Sequence, residues 1–271
     1  MWDETLYAGS AAYYPHGRFP YPPELAAALR DELSLDGRGR LLDVGCGPGS
    51  LTLLLAPLFE RAVGVDADAE MLAEAALQAA GRGVENADWV HVRAEELPGD
   101  LGTFRVVTFA QSFHWMQRER VAAAVREMLE PGGAWVHVHA TTHRGFGEDQ
   151  LPEPAPPHEA IDDLVKAYLG PVRRAGAGTL PNGTPAGEEN VMLAAGFVDP
   201  RRLEVGGGRV LERSEDDVVA SVYSRSSSAP HLFGERRDEF ESELRALLRQ
   251  ASPSGRFCEH ARAVELVIWP R

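Results

Sequence analysis

The sequence has 271 residues, 44% of them hydrophobic, and a formal net charge of −14, enough chain for one large α/β domain with a modest cap. The acidic balance argues against nucleic acid as the main partner, because phosphate backbones require a basic surface. No apolar run reaches membrane-spanning length and the first residues lack a basic segment followed by an apolar one, so neither a membrane nor a secretory route is expected and the location is read as cytoplasmic.

Residues 1–23 are rich in tyrosine and proline, a poor setting for regular helix beyond Pro15. The spacing of Leu25, Ala28, Leu29 and Leu33 predicts a helix over Glu24–Leu33. Arg40–Val44 reads as a buried strand, followed by a glycine turn and a helix from about Ser50 to Leu58. Ala62–Val65 is a second strand ending in Asp66, and Ala69–Ala80 a second helix closed by Gly81. Further strands are read at Trp89–Arg93 and Phe104–Ala110, then a helix at Arg118–Leu129 stopped by Pro131-Gly132-Gly133, then a strand at Ala134–Ala140. Strands alternating with helices at these lengths specify right-handed βαβ units and a parallel sheet.

Beyond Thr141 the texture changes, with many Pro, Gly and His over 143–188 and no clean strand. Helices are expected at Ile161–Leu169, at Glu188–Ala195 closed by Gly196, at Ser214–Tyr223 with Ser214 as N-cap and Asp217 at the third helical position, and at Glu235–Arg249. Arg201–Val205 and Arg209–Leu211 read as one strand interrupted by Gly206-Gly207-Gly208, and Val264–Trp269 as the last strand.

The turn Asp43-Val44-Gly45-Cys46-Gly47-Pro48-Gly49-Ser50 carries the chemistry. A strand, glycine turn and helix at the carboxyl edge of a parallel sheet form a ligand site, since glycine lets backbone approach the ligand. A dinucleotide fingerprint starting at Gly45 and Gly47 needs its third glycine at position 50, where Ser50 stands. That speaks against a nicotinamide-dependent dehydrogenase. Cys46 is a small filler of the turn, and Cys46 with Cys258 forms no disulfide framework or zinc pattern.

With Asp43 two residues before Gly45, the loop resembles motif I of the class I S-adenosylmethionine-dependent methyltransferases, and later segments extend the resemblance over roughly residues 7–140. It implies a Rossmann-like, doubly wound sheet of seven strands, mostly parallel with the last strand antiparallel. It implies S-adenosyl-L-methionine as cofactor, held by Asp43, Gly45, Cys46 and Gly47. Asp66 ends the second strand, at the distance where such folds place a ribose acceptor, and Ala67 after it is also assigned to the cofactor. Asp68 is the other carboxylate there, as a helix N-terminal charge. Arg93-Ala94-Glu95-Glu96-Leu97-Pro98 is similar to the family's adenine-holding segment, with Arg93 where an acid is frequent. It assigns the backbone of Ala94 and Glu95, and the Glu95 side chain, to the ring. Met71 is read as packing on adenine or as plain core.

Gln111-Ser112-Phe113-His114-Trp115 resembles runs that border the sulfonium methyl, which assigns Gln111 to the methionyl part of the cofactor. His114 is the first candidate general base, followed by His139 and then His16; a packing or capping role for His114 stands beside the catalytic one. His137 and His139 lie two apart on one strand and so share a face. As metal ligands they lack an identifiable third partner, so packing in the core or in a substrate wall is expected, and no metal site is assigned. Tyr14, Arg18, Tyr21 and Pro22 keep the register of a Tyr-x-x-x-Arg-Pro-x-Tyr-Pro signature found among ubiquinone- and trans-aconitate-type enzymes, with Phe19 in place of its first proline. In that setting Tyr14 covers the sulfonium and Arg18 pairs with the cofactor carboxylate, or the run is a strap holding the first helix.

The expected organisation is a single methyltransferase domain: a strap over 1–23, a cofactor core over 24–140, a substrate cap from 141–197 and 212–260, and a final strand over 262–269. The expected partner is a small-molecule methyl acceptor, with O, N or C attacking the methyl group in line. The alternative is a subunit that binds the cofactor without transferring methyl. Oligomeric state is left open.

Overall fold

The computed structural model describes residues 5–147, 151–171, 174–175, 178–179 and 187–271. In chain order the main elements are α1 (Pro23–Glu32), β1 (Arg40–Val44), α2 (Ser50–Leu55), β2 (Arg61–Asp66), α3 (Ala69–Arg82), β3 (Ala87–His91), β4 (Phe104–Ala110), α4 (Arg118–Met128), β5 (Leu129–His139), α5 (His158–Leu169), α6 (Glu188–Ala194), β6 (Arg201–Val205), β7 (Val210–Ser214), α7 (Glu215–Tyr223), α8 (Arg237–Ala251), β8 (Arg256–His260) and β9 (Val264–Pro270). They gather into two compact units: a sheet unit of residues 21–140, 184–206 and 263–271, and a helical unit of residues 1–20, 141–183 and 207–262.

The sheet unit is a seven-stranded sheet in the order β3-β2-β1-β4-β5-β9-β6. Strands β1 to β5 pair in parallel, and β9 runs antiparallel between β5 and β6. The expected architecture is therefore present, antiparallel strand included. The strands are apolar runs because helices cover both faces. One face packs Val63, Val65, Val107, Phe109 and Trp135 against α4 and α6 through Val121, Val125, Val191 and Met192. The other packs Leu41, Val106, Val136 and Leu266 against α1 and α2 through Leu25, Leu29, Leu51 and Leu55. Side-chain alternation along β5 sets this division, with Trp135 and His137 on one face and Val136 and Val138 on the other.

Several expected boundaries move. Helix α3 runs through Gly81 and closes at Gly83, which takes φ 66°; a glycine inside a helix costs only about 1 kcal/mol, and the left-handed stop falls where the apolar stripe ends. Strand β5 begins at Leu129, so Pro131-Gly132-Gly133 sits inside it beside a register shift in its pairing with β4. Residues 187–206 group with the sheet unit, and Val191, Met192 and Phe197 complete its core.

In the helical unit, α5, α7 and α8 bury Ile161, Val218, Val222, Phe240 and Leu244 together. Strands β7 and β8 form an antiparallel pair. The stretches Arg201–Val205 and 209–211 are thus parts of two different sheets, not one interrupted strand. Ser214 caps α7, with Asp217 returning the bond to the Ser214 backbone. The single turn Tyr14–Gly17 lies against α7: a Cβ at Gly17 would fall 2.5 Å from the Ala220 carbonyl. Among the described residues no helix is long and apolar enough to cross a membrane.

Candidate functional site

The glycine turn leaves β1 at the carboxyl edge of the sheet. Gly45, Gly47 and Gly49 have φ of 68°, 54° and 75°, values that exclude most side-chain-bearing residues. The three glycines serve different ends. A Cβ on Gly45 would fall 2.5 Å from Ser112 Cβ, and one on Gly49 2.5 Å from the Trp89 ring; both are required by packing. A Cβ on Gly47 would meet nothing within 4 Å among the described residues. Gly47 therefore borders open space, and only there does the absence of a side chain keep a cradle clear.

The turn is tied to β2. The Gly45 and Cys46 amides donate to the Val65 carbonyl at 2.8 and 3.0 Å. The Gly47 amide donates to Asp66 Oδ2 at 2.8 Å, and the Asp68 amide to Asp66 Oδ1 at 2.9 Å. Each Asp66 oxygen thus holds one backbone donor and keeps a further lone pair. Burial pushes the Asp66 pKa up to about 6, with the two amides pulling the other way. Asp68 instead caps α3, accepting from the Glu70 and Met71 amides. Ala67 is half-buried, and its carbonyl accepts from His91 Nε2 at 3.0 Å.

Asp43 lies inside the sheet, on β1. Its side chain is fully buried, and its two oxygens accept from Thr52 Oγ1 at 2.6 Å and Thr108 Oγ1 at 2.7 Å. It braces β1, α2 and β4 from within. Burial raises its pKa, against the two threonine hydroxyls. Thr52, Thr108 and Ser112, whose hydroxyl donates to the Val44 carbonyl at 2.6 Å, form this support. Isolated hydroxyl residues carried no signal of it. Cys46 is buried, its thiol pKa pushed well up by burial and by the Asp66 and Asp43 charges, so it is a filler and not a nucleophile. Met71 is also buried.

Ala94 and Glu95 lie in a short turn after β3, Ala94 buried and Glu95 half-buried. Glu95 accepts from the Gln117 amide at 3.0 Å and lies 3.7 Å from Arg93 Nε. Gln111 has φ 55° at the end of β4, is exposed, and donates from Nε2 to the Val138 carbonyl at 3.2 Å. A non-glycine residue held in this region is strain of the kind found at ligand sites. His114 is half-buried in the next turn, its ring 4.3 Å from Trp115. His139 ends β5, with Nε2 3.7 Å from Glu188 on α6. His137 is buried among Phe109, Phe113 and Trp135, and burial, then the His139 and Arg202 charges, push its pKa down to about 3.

Asp43, Gly45, Cys46, Gly47, Asp66, Ala67, Met71, Ala94, Glu95, Gln111, His114 and His139 thus all belong to the sheet unit. Tyr14, His16 and Arg18 belong to the helical unit. There Arg18 lies 4.6 Å over the Tyr14 ring and donates to Ser224 Oγ and the Ser224 carbonyl at 2.8 and 2.7 Å. The helical unit also contains a cavity of about 320 Å³ whose lining includes His143, Arg144, His158, Asp162, Val165 and Val222.

Residues 41–133 match the family model described as a methyltransferase domain. An uncharacterized methyltransferase of Mycobacterium tuberculosis is 36% identical over 137 residues, covering 48% of this chain and 51% of that protein. A ubiquinone biosynthesis O-methyltransferase of Nitrosococcus oceani is 36% identical over 107 residues, covering 39% of this chain and 44% of that protein. The chain spans about half the length of the curated relatives it matches. Among solved structures, a putative type II methyltransferase of Anaeromyxobacter dehalogenans aligns at TM-score 0.51 and 22% identity, covering 94% of this chain and 96% of that one. The YcgJ protein of Bacillus subtilis aligns at TM-score 0.50 and 18% identity, covering 90% and 97%. These structural likenesses bear on the fold.

Proposed function

We propose that this chain, whose residues 41–133 match a methyltransferase domain, is a class I S-adenosylmethionine-dependent methyltransferase that transfers the methyl group to an oxygen, nitrogen or carbon of a small molecule. The observation that carries this reading is the pairing of Gly47 with Asp66. An open, side-chain-free backbone cradle lies beside a carboxylate whose two oxygens each retain an acceptor site. These residues fit a ligand with vicinal hydroxyls. S-adenosylmethionine, when bound, supplies an electrophilic methyl on a sulfonium.

Asp66 accepts from the ribose hydroxyls, the backbone of Ala94 and Glu95 holds the adenine edge, and Gln111 orients the methionyl part. Positioning of two reactants contributes roughly 7–11 kcal/mol to barrier lowering, so no covalent intermediate is required. Where the acceptor must lose a proton, His114 is the base we assign, worth roughly 10²–10⁴-fold in rate.

The test is calorimetric titration with S-adenosylmethionine, followed by transfer of labelled methyl to fractionated metabolites. Binding with turnover on at least one fraction is expected, with NAD inert. No S-adenosylmethionine binding would end the proposal. Tight binding with no turnover on any fraction would replace transfer by a binding role.

A further inference from the structure

His137 and His139 share a face of β5, and the fold adds a third donor to them. Gly187, at φ 92°, turns the chain into α6, whose first residue is Glu188. Val191 and Met192, three and four positions on, pack into the sheet core. Residues at that spacing share a helix face, so burial of this pair fixes Glu188 toward β5. One donor atom from each of His137, His139 and Glu188 lies within 4.8 Å of the other two. His137 Nε2 is buried with no hydrogen-bond partner, the one imidazole nitrogen so placed among the described residues. A buried polar nitrogen without a partner is costly, and a native protein normally satisfies it.

We propose that His137, His139 and Glu188 bind a divalent first-row transition-metal ion, zinc being the best match to two imidazoles and one carboxylate. Metal–donor distances of about 2.0–2.2 Å place tetrahedral donors about 3.3 Å apart. The cluster must therefore draw in by at most about 1.5 Å. His139 and Glu188, with side chains 40% and 23% exposed, have the freedom to do so, while His137 is fixed by its aromatic neighbours. Imidazole donors disfavour magnesium and calcium, which take oxygen. Arg202 on β6 is the nearby cation, and its guanidinium is engaged by Glu189 at 3.1 Å and Glu265 at 2.9 Å. Three protein donors leave at least one coordination position for water or an oxygen donor. His139 ends β5 at the carboxyl edge of the sheet, beside the Val138 carbonyl that receives Gln111 Nε2, so the ion stands at the sheet's ligand-binding edge. The site does not depend on whether methyl transfer occurs.

The test uses the full chain stripped of metal with a chelator and titrated with Zn²⁺ by calorimetry, with Co²⁺ as a visible-absorption probe. One equivalent of Zn²⁺ and ligand-field bands with Co²⁺ are expected. Glu188→Gln and His139→Ala should each weaken Zn²⁺ by at least ~10-fold. His137→Phe, which suits the aromatic surroundings, should abolish uptake while keeping the circular dichroism of the wild type. A histidine that only fills the core predicts no such loss. Absence of stoichiometric uptake by the wild type, or equal uptake by Glu188→Gln and His139→Ala, would overturn the assignment.

Discussion

Asp66 holds the glycine turn through the Gly47 amide and is also the carboxylate available to a ligand. Its two tasks separate by pH. Its folded pKa of about 6 lies above the ordinary 3.8, so the folded state binds the proton more tightly than the unfolded chain. Its contribution to stability is then full below about 4 and is lost as pH rises through about 6. Denaturant midpoints of the ligand-free protein should show this slope, and Asp66→Asn should remove it. The ionised Asp66 accepts through both oxygens, whereas the protonated acid turns one of them into a donor and binds the ribose hydroxyls more weakly, so S-adenosylmethionine affinity should fall as pH drops below about 6. Asp66→Asn should weaken binding by about 10–100-fold at neutral pH, the value of a hydrogen bond to a charged group. The loop glycines separate in the same way. Gly49→Ala drives a Cβ into Trp89 and should appear as lost stability, beyond the about 1–2 kcal/mol that the left-handed backbone alone costs. Gly47→Ala meets only open space, so it should cost about that backbone amount in a melt while blocking the cofactor in a titration.

At the scale of elements, the Asp43–Thr52–Thr108 cluster joins two strands and a helix inside the sheet. Asp43→Ala should strand the Thr52 hydroxyl and leave Thr108 only its 3.4 Å contact with the Leu42 carbonyl, costing about 2–3 kcal/mol in urea unfolding. A sequence motif shows that an aspartate stands there but not where its oxygens point, which is why it reads as a ligand contact. The βαβ order, the loop and Asp66 were legible because period, turn glycines and spacing are local. Gly83 replaced Gly81 as the stop of α3 because both glycines are locally plausible and only the buried stripe of Met71, Leu72, Ala75 and Ala79 chooses. The partnership of β7 with Arg256–His260 was hidden, since pairing across the chain leaves no periodic trace in either strand. Glu188 was hidden for the same reason: no spacing rule connects it with His137 and His139, and only the docking of α6 does.

At the scale of the molecule, the helical unit carries its own buried charge network. Glu259, fully buried, accepts from His158 Nε2 at 2.5 Å, the Gly145 amide at 2.9 Å and Arg213 at 3.4 Å. Burial pushes its pKa up, but the His158 hydrogen bond and the His158 and Arg213 charges outweigh it, so the net shift is downward from 4.5. A carboxylate with a depressed pKa stabilises the fold above about pH 4.5 and loses that contribution as pH falls through its folded pKa. Glu259→Gln leaves Arg213 buried without its charge partner and should cost about 3–5 kcal/mol at neutral pH. The gap in urea midpoint between variant and wild type should narrow below pH 4.5. The division into units has a further consequence, for how the polypeptide can be cut. The chain passes from one unit to the other at 20/21, 140/141, 183/184, 206/207 and 262/263. A fragment ending at 140 would lack β9 and β6, leaving β5 as an open apolar edge prone to pairing with other chains. Neither unit is inherited as a contiguous cassette, so domain-swap chimaeras with relatives must exchange several segments at once, and single-crossover hybrids should come out of cells as aggregate.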